Sequence, residues 1–331
     1  MYNNIIIVYE NGILKRYPKN PILTPNKSNW WESQAVFNCA TLYDGNKVHM
    51  LYRAIGEYEN YISRIGYASS RDGYSFKRRN KIAFDPILDY EQFGIEDPRL
   101  SKIEDKTYVT YVVLSQHVKA GPAVSTALAA VNKDYSHFER LGIITSKEMD
   151  NKDVVLFPEK LPSKLNKGGK SFFSLHRPSS WVGKAYGVDS PSIWLGESSQ
   201  LTTVEEHTLL MKPEFEWEQL KIGAGPPPLK TKYGWLVIYH GVSLDRIYSA
   251  GAAILDLNNP AKIVCRCNKP ILTPTTEYEK SGDVDNVVFP TGLCNIDGEL
   301  FLYYGGADKV CCLATAELDD LIQYIFQNNE I

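Results

Sequence analysis

Five segments of the chain share one pattern, and this repeat constrains the fold more than any other feature. Each segment opens with Asn or Pro beside a polar group, runs through a short apolar stretch, turns at Gly or a charged pair, and continues as a β-rich stretch that ends on a polar residue. The opening positions are Asn38, Pro98, Pro158, Pro226 and Pro290, and successive differences between these numbers are 60, 60, 68 and 64 residues. The pattern predicts one hairpin, repeated five times.

The length of each repeat predicts how many strands it contains. Familiar propeller repeats are about 40–50 residues long, so these longer steps leave room for two strands beyond each hairpin. Connecting pieces such as ISRIGYASSRDGYSF are typical of a strand, a turn and another strand. We therefore predict an all-β fold, a five-bladed β-propeller that occupies residues 1–331 as a single domain, although 331 residues could also hold two domains.

Three further segments fit a closed ring. NPILTP at 20–25 returns as KPILTP at 269–274, which predicts the same connecting strand before the first and last hairpins. The N-terminal MYNNIIIVYENG predicts a short strand that ends at Asn11-Gly12. The C-terminal segment TAELDDLIQYIFQNNE predicts an amphipathic helix that caps the outside of the ring, with one apolar face formed by Leu318, Leu321, Ile322, Ile325 and Phe326.

Composition excludes several classes of protein. Hydrophobic residues at 44% and charged residues at 23% are ordinary for a soluble globular protein, unlike disordered, collagen-like or membrane chains. The net charge of −3 comes from well-mixed signs, which argues against nucleic acid or a membrane surface as the partner. The N-terminus lacks a basic signal-peptide region, so we predict a cytoplasmic protein. Six cysteines without a C-x-x-C pair predict buried reduced thiols and not a zinc site.

Equivalent positions in the five hairpins should converge on the propeller axis, because inner strands surround a central funnel. Basic and aromatic side chains dominate at these positions and carboxylates are few, which is the opposite of what a metal site or a paired-carboxylate hydrolase needs. The candidates at the hairpin ends are Asn38, Arg53, Asp97, Arg99, His176, Arg177, Tyr239, His240 and Asp308.

The stretch FGIEDPRL places Glu96 and Asp97 directly before a proline. Proline restricts the residue before it, so we expect Asp97 on a stiff extended segment with its carboxylate held in one direction. Neighbours in a strand point to opposite faces, so Glu96 is expected to orient Arg99 or the backbone. The structural alternative is a solvated pair of carboxylates at a strand entry, or one paired with Arg99.

One carboxylate that faces many cationic and hydroxyl donors favours a particular chemistry. An inverting glycosidase needs a second carboxylate that activates water. An anion such as inorganic phosphate arrives already charged and needs only a cradle of Arg, Lys, His and Tyr donors. The candidate set therefore indicates phosphorolysis of a glycoside.

Nine short blocks occur in order along the chain: NPILTP, AVFN, GIEDPR, DVVLFP, HRP, KIG followed by PPL, GWLVIYHGV, GDVDNVVFP and YYGGAD. In identity and order, over nearly the whole chain, these blocks resemble the β-mannoside phosphorylases of glycoside hydrolase family 130, which are five-bladed β-propellers. The resemblance implies that Asp97 is the general acid and works through a hydroxyl of the mannosyl ring. It also implies that phosphate attacks with inversion and releases α-mannose 1-phosphate.

The resemblance implies roles for the other candidates as well. Phosphate-binding donors carry over to Lys152, Arg177, Lys221, His240 and Tyr248. Mannosyl-binding positions carry over to Asn38, Arg53 and Asp308, and Asp283 or Asp285 lines the same pocket, with Arg99 and His176 as further substrate-binding candidates from the hairpin pattern. The expected partners are a small oligosaccharide and phosphate as co-substrate, with no cofactor, no metal and a possible homo-oligomer.

Two other functions stay open from the residues alone. A hydrolase of the same fold would use water, and the retained basic cluster argues against it. A non-catalytic sugar-binding propeller would bind its ligand without cleaving it, and the retained Asp97 argues against this function. For the individual residues, His176 and His240 could be satisfied structural groups, Lys152 and Lys221 could be solvated surface charges, and Trp30 and Trp31 could either pack the first blade or form a sugar platform.

Overall fold

The computed structural model describes residues 13–115, 124–146 and 150–329. The strand predicted for the N-terminal segment 1–12 lies outside these residues, and the single domain over 1–331 stays a prediction. The strands, in chain order, are β1 (Lys15–Arg16), β2 (Ala35–Tyr43), β3 (Val48–Ile55), β4 (Ser63–Ser70), β5 (Lys77–Arg78), β6 (Ile95–Ile103), β7 (Lys106–Leu114), β8 (Val124–Val131), β9 (Phe138–Ile143), β10 (Asn151–Leu156), β11 (Leu161–Pro162), β12 (Lys170–Pro178), β13 (Ile193–Ser198), β14 (Glu206–Met211), β15 (Lys221–Ala224), β16 (Leu229–Thr231), β17 (Gly234–Val242), β18 (Tyr248–Leu255), β19 (Ile263–Arg266), β20 (Val288–Ile296), β21 (Glu299–Gly306) and β22 (Val310–Glu317).

The strands form five antiparallel sheets, and the predicted five-bladed β-propeller is confirmed. The first four blades have the orders β2-β3-β4-β5, β6-β7-β8-β9, β10-β12-β13-β14 and β15-β17-β18-β19, with β11 and β16 as short additions beside β12 and β17. The fifth blade has the order β1-β22-β21-β20, so the N-terminal strand completes the last sheet and closes the ring. The two repeated connectors bridge equivalent strands: Leu23 pairs with Cys311 of β22, and Leu272 pairs with Ala250 of β18.

Helices are few and peripheral. Short 3-10 helices cover Trp30–Glu32, Asp89–Glu91 and Glu216–Glu218, and α1 covers Glu277–Lys280. The C-terminal helix α2 (Leu318–Gln327) buries Leu321, Ile322 and Ile325, whereas Phe326 is 42% exposed, so the predicted apolar face is narrower than expected. No helix within the described ranges is long and apolar enough to cross a membrane. All six cysteines are free and buried.

The inner strands carry irregularities that orient side chains toward the axis. The register shifts between Phe37 and Ala40 in β2, between Glu96 and Arg99 in β6, and between Lys152 and Val155 in β10. At these three bulges Asn38, Asp97 and Asp153 have φ of 48°, 46° and 57°. The expectation of extended backbone at Asp97 is therefore wrong. Asn and Asp tolerate this left-handed geometry better than most residues, and a bulge releases Pro98 from donating to the ladder.

A buried triad of Glu, Arg and Tyr recurs in four blades of the described structure. A Glu from the short helix before the inner strand accepts hydrogen bonds from an Arg of the outermost strand and a Tyr of the second strand. The triads are Glu32, Arg78 and Tyr52; Glu91, Arg140 and Tyr111; Glu218, Arg266 and Tyr239; and Glu279, Arg16 and Tyr304. In the third blade, the strand register places His176 and His207 at the Tyr and Arg positions, and their rings are hydrogen-bonded at 3.0 Å.

Candidate active site

The inner ends of the blades enclose a polar cavity on the axis. Nine of the thirteen predicted site residues line it, together with Val284, Val287 and Phe289; the nine are Asn38, Arg53, Asp97, Lys152, Arg177, Lys221, His240, Tyr248 and Asp308. The first, second and fifth blades contribute Asn38, Arg53, Asp97 and Asp308. The third and fourth blades contribute the five predicted phosphate ligands. The cavity therefore has an acid side and a basic side.

Asp97 is the centre of the acid side and is only 5% exposed. Its Oδ1 accepts a hydrogen bond from Asn38 Nδ2 at 2.8 Å and lies 3.3 Å from Arg53 Nη1. Burial acts to raise the pKa of Asp97, but the positive charges of Arg53, Lys152 and Arg99 outweigh it and lower this pKa. Asp97 is therefore an ionised carboxylate in the free protein at neutral pH.

Glu96 and Arg99 support this side of the cavity in ways that the sequence did not predict. Glu96 accepts a hydrogen bond from Arg53, whereas the sequence predicts that it orients Arg99 or the backbone. Arg99 is 2% exposed, donates to the backbone carbonyls of Gly225 at 2.8 Å and Asp97 at 3.1 Å, and is not among the residues that line the cavity. Arg99 thus fixes the bulge that carries Asp97.

Asp308 lies in the turn between β21 and β22 with φ of 50°. Burial raises its pKa to about 6, with the negative charge of Asp97 adding to this effect and the positive charge of Arg53 opposing it. Two carboxylates in one small cavity thus have pKa values shifted in opposite directions. This difference is typical of sites that handle protons.

The basic side of the cavity concentrates cationic groups. Lys152 of β10 and Arg177 of β12 are direct cross-strand partners. Burial, followed by the charges of Arg177 and Lys152, lowers the pKa of Lys221 to about 8. Burial lowers the pKa of His240 to about 3, so its ring is neutral at neutral pH. The ammonium of Lys221 lies 5.2 Å from the ring centroid of Tyr248. Mutually repelling cations that converge on one cavity form a binding site for an anion.

Asp153 is the buried counter-charge of this cluster, and sequence reasoning missed it. Its Oδ2 accepts a hydrogen bond from Arg177 Nε at 2.7 Å and lies 3.9 Å from His240 Nε2, while Oδ1 lies 3.8 Å from Arg99 Nη2. Burial acts to raise the pKa of Asp153, but the positive charge of Arg177, together with those of Lys152 and Arg99, holds this pKa well below its usual range. Asp153 therefore orients Arg177 by accepting the hydrogen bond from its Nε.

Several buried polar atoms at this site have no hydrogen-bond partner among the described residues. They include Asn38 Oδ1, His240 Nδ1, Asp153 Oδ1 and Arg99 Nη2. Buried polar atoms are nearly always paired, so such a concentration in one place is characteristic of a functional site.

Three other predicted residues lie away from the cavity lining. His176 is fully buried inside the third blade and hydrogen-bonds Asn151 and His207, because its side chain points to the face of β12 opposite Arg177. Asp283 lies at the rim and accepts hydrogen bonds from Tyr58 and Lys309. Asp285 is exposed and accepts a bond from the backbone of Gly282.

The two adjacent tryptophans have different surroundings. Trp31 is 4% exposed and stacks on Tyr52 with ring centroids 6.4 Å apart, which fits the packing alternative. Trp30 is 62% exposed, and the guanidinium of Arg64 lies 4.8 Å from its ring centroid.

Comparisons with known proteins agree with this geometry. Residues 13–327 match the model of a family described as beta-1,4-mannooligosaccharide phosphorylase, Glyco_hydro_130. The chain is 37% identical over 314 residues to the 1,2-beta-oligomannan phosphorylase of Thermoanaerobacter sp. (strain X514), covering 93% of this chain and 98% of that protein. It is 30% identical over 333 residues to the beta-1,4-mannooligosaccharide phosphorylase of Ruminococcus albus, covering 96% of this chain and 92% of that protein. The solved structure of the beta-1,2-mannobiose phosphorylase of Listeria innocua, in complex with beta-1,2-mannobiose, superposes with a TM-score of 0.81 at 28% identity, covering 95% of this chain and 99% of that one. A match over nearly the whole chain, on a propeller that carries the motifs at its axis, shows that this protein belongs to glycoside hydrolase family 130.

Proposed function

We propose that this protein cleaves a β-linked mannoside with inorganic phosphate, with inversion, and releases α-mannose 1-phosphate and a shortened sugar. The observation that carries this proposal is the two-sided cavity, in which the carboxylate of Asp97 faces five donors, Lys152, Arg177, Lys221, His240 and Tyr248. Phosphate bound by these donors is a ready nucleophile and needs no general base.

The reaction balances with one proton donor. A phosphate oxygen attacks the anomeric carbon of the mannosyl ring while the bond from that carbon to the bridging oxygen breaks. Asp97 supplies the proton that the leaving oxygen takes up, passed through a hydroxyl of the mannosyl ring as the family resemblance implies. The same steps run backwards when α-mannose 1-phosphate meets an acceptor sugar, so the reaction is reversible.

A β-1,2 linkage is the first substrate to test. The relatives at 37% and 34% identity, both from Thermoanaerobacter sp., are a 1,2-beta-oligomannan phosphorylase and a beta-1,2-mannobiose phosphorylase. A relative at 30% identity acts on β-1,4-mannooligosaccharides by its name. A location in the cytoplasm and a homo-oligomer remain predictions from the sequence.

A hydrolase is the second candidate, because one structural neighbour at 23% identity comes from work on glycoside hydrolases that target β-1,2-mannosidic linkages. The cluster of Lys152, Arg177 and Lys221 argues against water as the nucleophile here. Asp153 pairs with Arg177, so a neutral nucleophile would leave the two lysines uncompensated next to the reaction centre.

One assay separates phosphorylase, hydrolase and non-catalytic binder. The protein is incubated with β-1,2-mannobiose, β-1,4-mannobiose and 4-O-β-mannosyl-glucose, each with and without phosphate, and the products are identified by chromatography and phosphorus NMR. The proposal expects α-mannose 1-phosphate only when phosphate is present. Free mannose as the sole mannosyl product identifies a hydrolase, and no product from any mannoside refutes both catalytic functions.

A further inference from the structure

Three side chains form a polar bridge over the rim of the cavity. Tyr58 Oη donates a hydrogen bond to Asp283 Oδ1 at 2.9 Å, and Lys309 Nζ lies 2.8 Å from the same oxygen. Lys309 also donates to Tyr58 Oη, and its Nζ lies 5.2 Å from the centroid of the Tyr58 ring. This rim bridge ties the loop between β3 and β4 to the loop before β20 and the turn after β21.

A continuous line of contacts connects the rim bridge to the acid side of the cavity. The ring of Tyr58 stacks on Tyr61 with centroids 6.1 Å apart and an interplanar angle of 21°. The guanidinium of Arg53 lies 5.8 Å from the centroid of Tyr61, and its Nη1 lies 3.3 Å from Asp97 Oδ1. A ligand that extends outward from Asp97 along this line meets Tyr61 and then Tyr58.

The rim bridge is also connected to the cavity through residues that are adjacent in sequence. Lys309 directly follows Asp308, and Asp283 directly precedes Val284, and both Asp308 and Val284 line the cavity. The bridge is therefore anchored to the first and fifth blades.

The stereochemistry of the reaction predicts which part of the substrate lies near the rim bridge. In a displacement with inversion, the nucleophile and the leaving group occupy opposite faces of the anomeric carbon. The phosphate donors all belong to the third and fourth blades, so the leaving sugar extends away from them. The rim bridge lies on that opposite side, on the first and fifth blades.

The rim bridge has the chemistry of a sugar-binding surface. Tyr58 is 47% exposed, so one part of its ring is open to a ligand, and an aromatic ring with a polar tip suits an amphipathic partner. Asp283 Oδ2 is buried and has no hydrogen-bond partner among the described residues. A sugar offers both an apolar C–H face for the ring and hydroxyl donors for this oxygen.

We propose that Tyr58, held by Asp283 and Lys309, is the platform for the sugar that leaves during phosphorolysis and that enters as acceptor in the reverse reaction. Tyr58 is then a specificity-determining residue for that sugar. The inference rests on the proposed function for its stereochemical argument, but its central claim, that Tyr58 binds the second sugar ring, can be measured without turnover.

The test compares two ligands by titration calorimetry in phosphate-free buffer. β-1,2-Mannobiose fills the mannosyl site and the platform, whereas α-mannose 1-phosphate fills the mannosyl site and the phosphate cradle. We expect Tyr58→Ala to weaken mannobiose about tenfold, which corresponds to about 1.4 kcal/mol. The affinity for α-mannose 1-phosphate should change by less than about twofold. Tyr58→Phe keeps the ring but loses the bond to Asp283, so it should weaken mannobiose less than Tyr58→Ala.

A matched control is available in the fourth blade. Tyr233 is 41% exposed and has the ammonium of Lys232 4.9 Å from its ring centroid, but it lies in the turn before β17 and does not line the cavity. Tyr233→Ala should leave both affinities unchanged. In synthesis assays with α-mannose 1-phosphate, Tyr58→Ala should raise the KM for the acceptor and leave the KM for the donor unchanged.

The outcomes separate this inference from the proposed function. An active wild-type enzyme whose mannobiose affinity is unchanged in Tyr58→Ala overturns the platform and leaves the function standing. Equal weakening of both ligands also overturns it. Wild-type protein that binds mannobiose but forms no mannose 1-phosphate refutes the function, while selective weakening in Tyr58→Ala still supports the platform. Wild-type protein that binds none of β-1,2-mannobiose, β-1,4-mannobiose and 4-O-β-mannosyl-glucose refutes both.

Discussion

Replacing Asp153 with asparagine removes the buried negative charge beside Arg177 on the basic side of the cavity, where the proposed function places phosphate. The side chain is fully buried, its Oδ2 accepts from Arg177 Nε at 2.7 Å, and Arg99 and His240 lie within 4 Å of its two oxygens. Asparagine keeps the size of the side chain and one acceptor oxygen. The substitution therefore tests the charge and not the packing.

The expected loss of stability follows from the burial of this ion pair. Removing one partner of a buried pair costs about 3–5 kcal/mol, and we take about 3 kcal/mol because the amide oxygen still accepts a hydrogen bond. An unfolding entropy of about 2.1 cal/mol/K per residue gives about 0.7 kcal/mol/K for this chain, so the Tm should fall by about 4 °C.

Phosphate should restore much of this loss, because it returns negative charge to the same cations. Ligand that binds only the folded state stabilises it in proportion to its affinity, and affinity for an anion rises when a neighbouring carboxylate is removed. The Tm difference between wild-type protein and Asp153→Asn should therefore shrink by half or more in saturating phosphate. Differential scanning calorimetry with and without phosphate measures both differences.

Glu91→Gln is the matched control for this prediction. Glu91 is also fully buried and accepts bonds from Arg140 at 2.8 Å and Tyr111 at 2.9 Å, but it belongs to the triad of the second blade and does not line the cavity. The Tm difference between wild-type protein and Glu91→Gln should stay constant when phosphate is added. Equal phosphate rescue of both variants, or no rescue of Asp153→Asn, would refute the electrostatic role of Asp153.

Four further predictions address the same cavity. Asp97→Asn should lower kcat by about 10²-fold or more with an unchanged circular dichroism spectrum, because it removes the positioned proton donor. Arg177→Ala or His240→Ala should raise the KM for phosphate by about 10- to 100-fold and change the KM for mannoside much less, since each loses a contact worth about 1.5–3 kcal/mol. Lys221 loses its proton as the pH rises through about 8, so the KM for phosphate should rise above that pH in wild-type protein and show a weaker rise in Lys221→Met. Activity should survive dialysis against EDTA, because the cradle neutralises phosphate with side chains; restoration of lost activity by one specific cation would contradict this.

The repeat was sufficient to predict the blades, because period and turn chemistry are local properties of the sequence. Six of the residues that the repeat places at hairpin ends line the cavity, because the ends of equivalent strands converge in any propeller; Lys152, Lys221 and Tyr248 followed from the family resemblance instead. The repeat did not predict the bulges at which the backbone departs from a regular strand. The third hairpin was counted from Pro158, whereas its inner bulge lies between Lys152 and Val155. Asp153 has no following proline, so the pattern that singled out Asp97 could not reveal its equivalent.

The wrong placement of His176 in the cavity has a different cause, which is that neighbouring residues in a strand point to opposite faces. Both His176 and Arg177 are polar residues at the end of one hairpin, and the sequence placed both in the funnel. The pairs Tyr52-Arg53 and Tyr239-His240 hold the clue, since in each pair the second residue lines the cavity and the first lies in a buried triad. By the same alternation, the pair His176-Arg177 places His176 in the interior of the blade and Arg177 at the cavity.

The lowered pKa of Asp97 is compatible with its proposed role as an acid, because the charge of the bound nucleophile counteracts this shift. The cations that keep Asp97 ionised include Lys152, which also lines the phosphate cradle. Phosphate bound there opposes the field of these cations at Asp97. A unit charge about 6 Å away, at an effective dielectric constant of about 20, contributes about 3 kcal/mol, or about 2 pKa units. On the proposed function, the bound nucleophile thus raises the pKa of its own proton donor, so that Asp97 takes up a proton when phosphate is in place to attack.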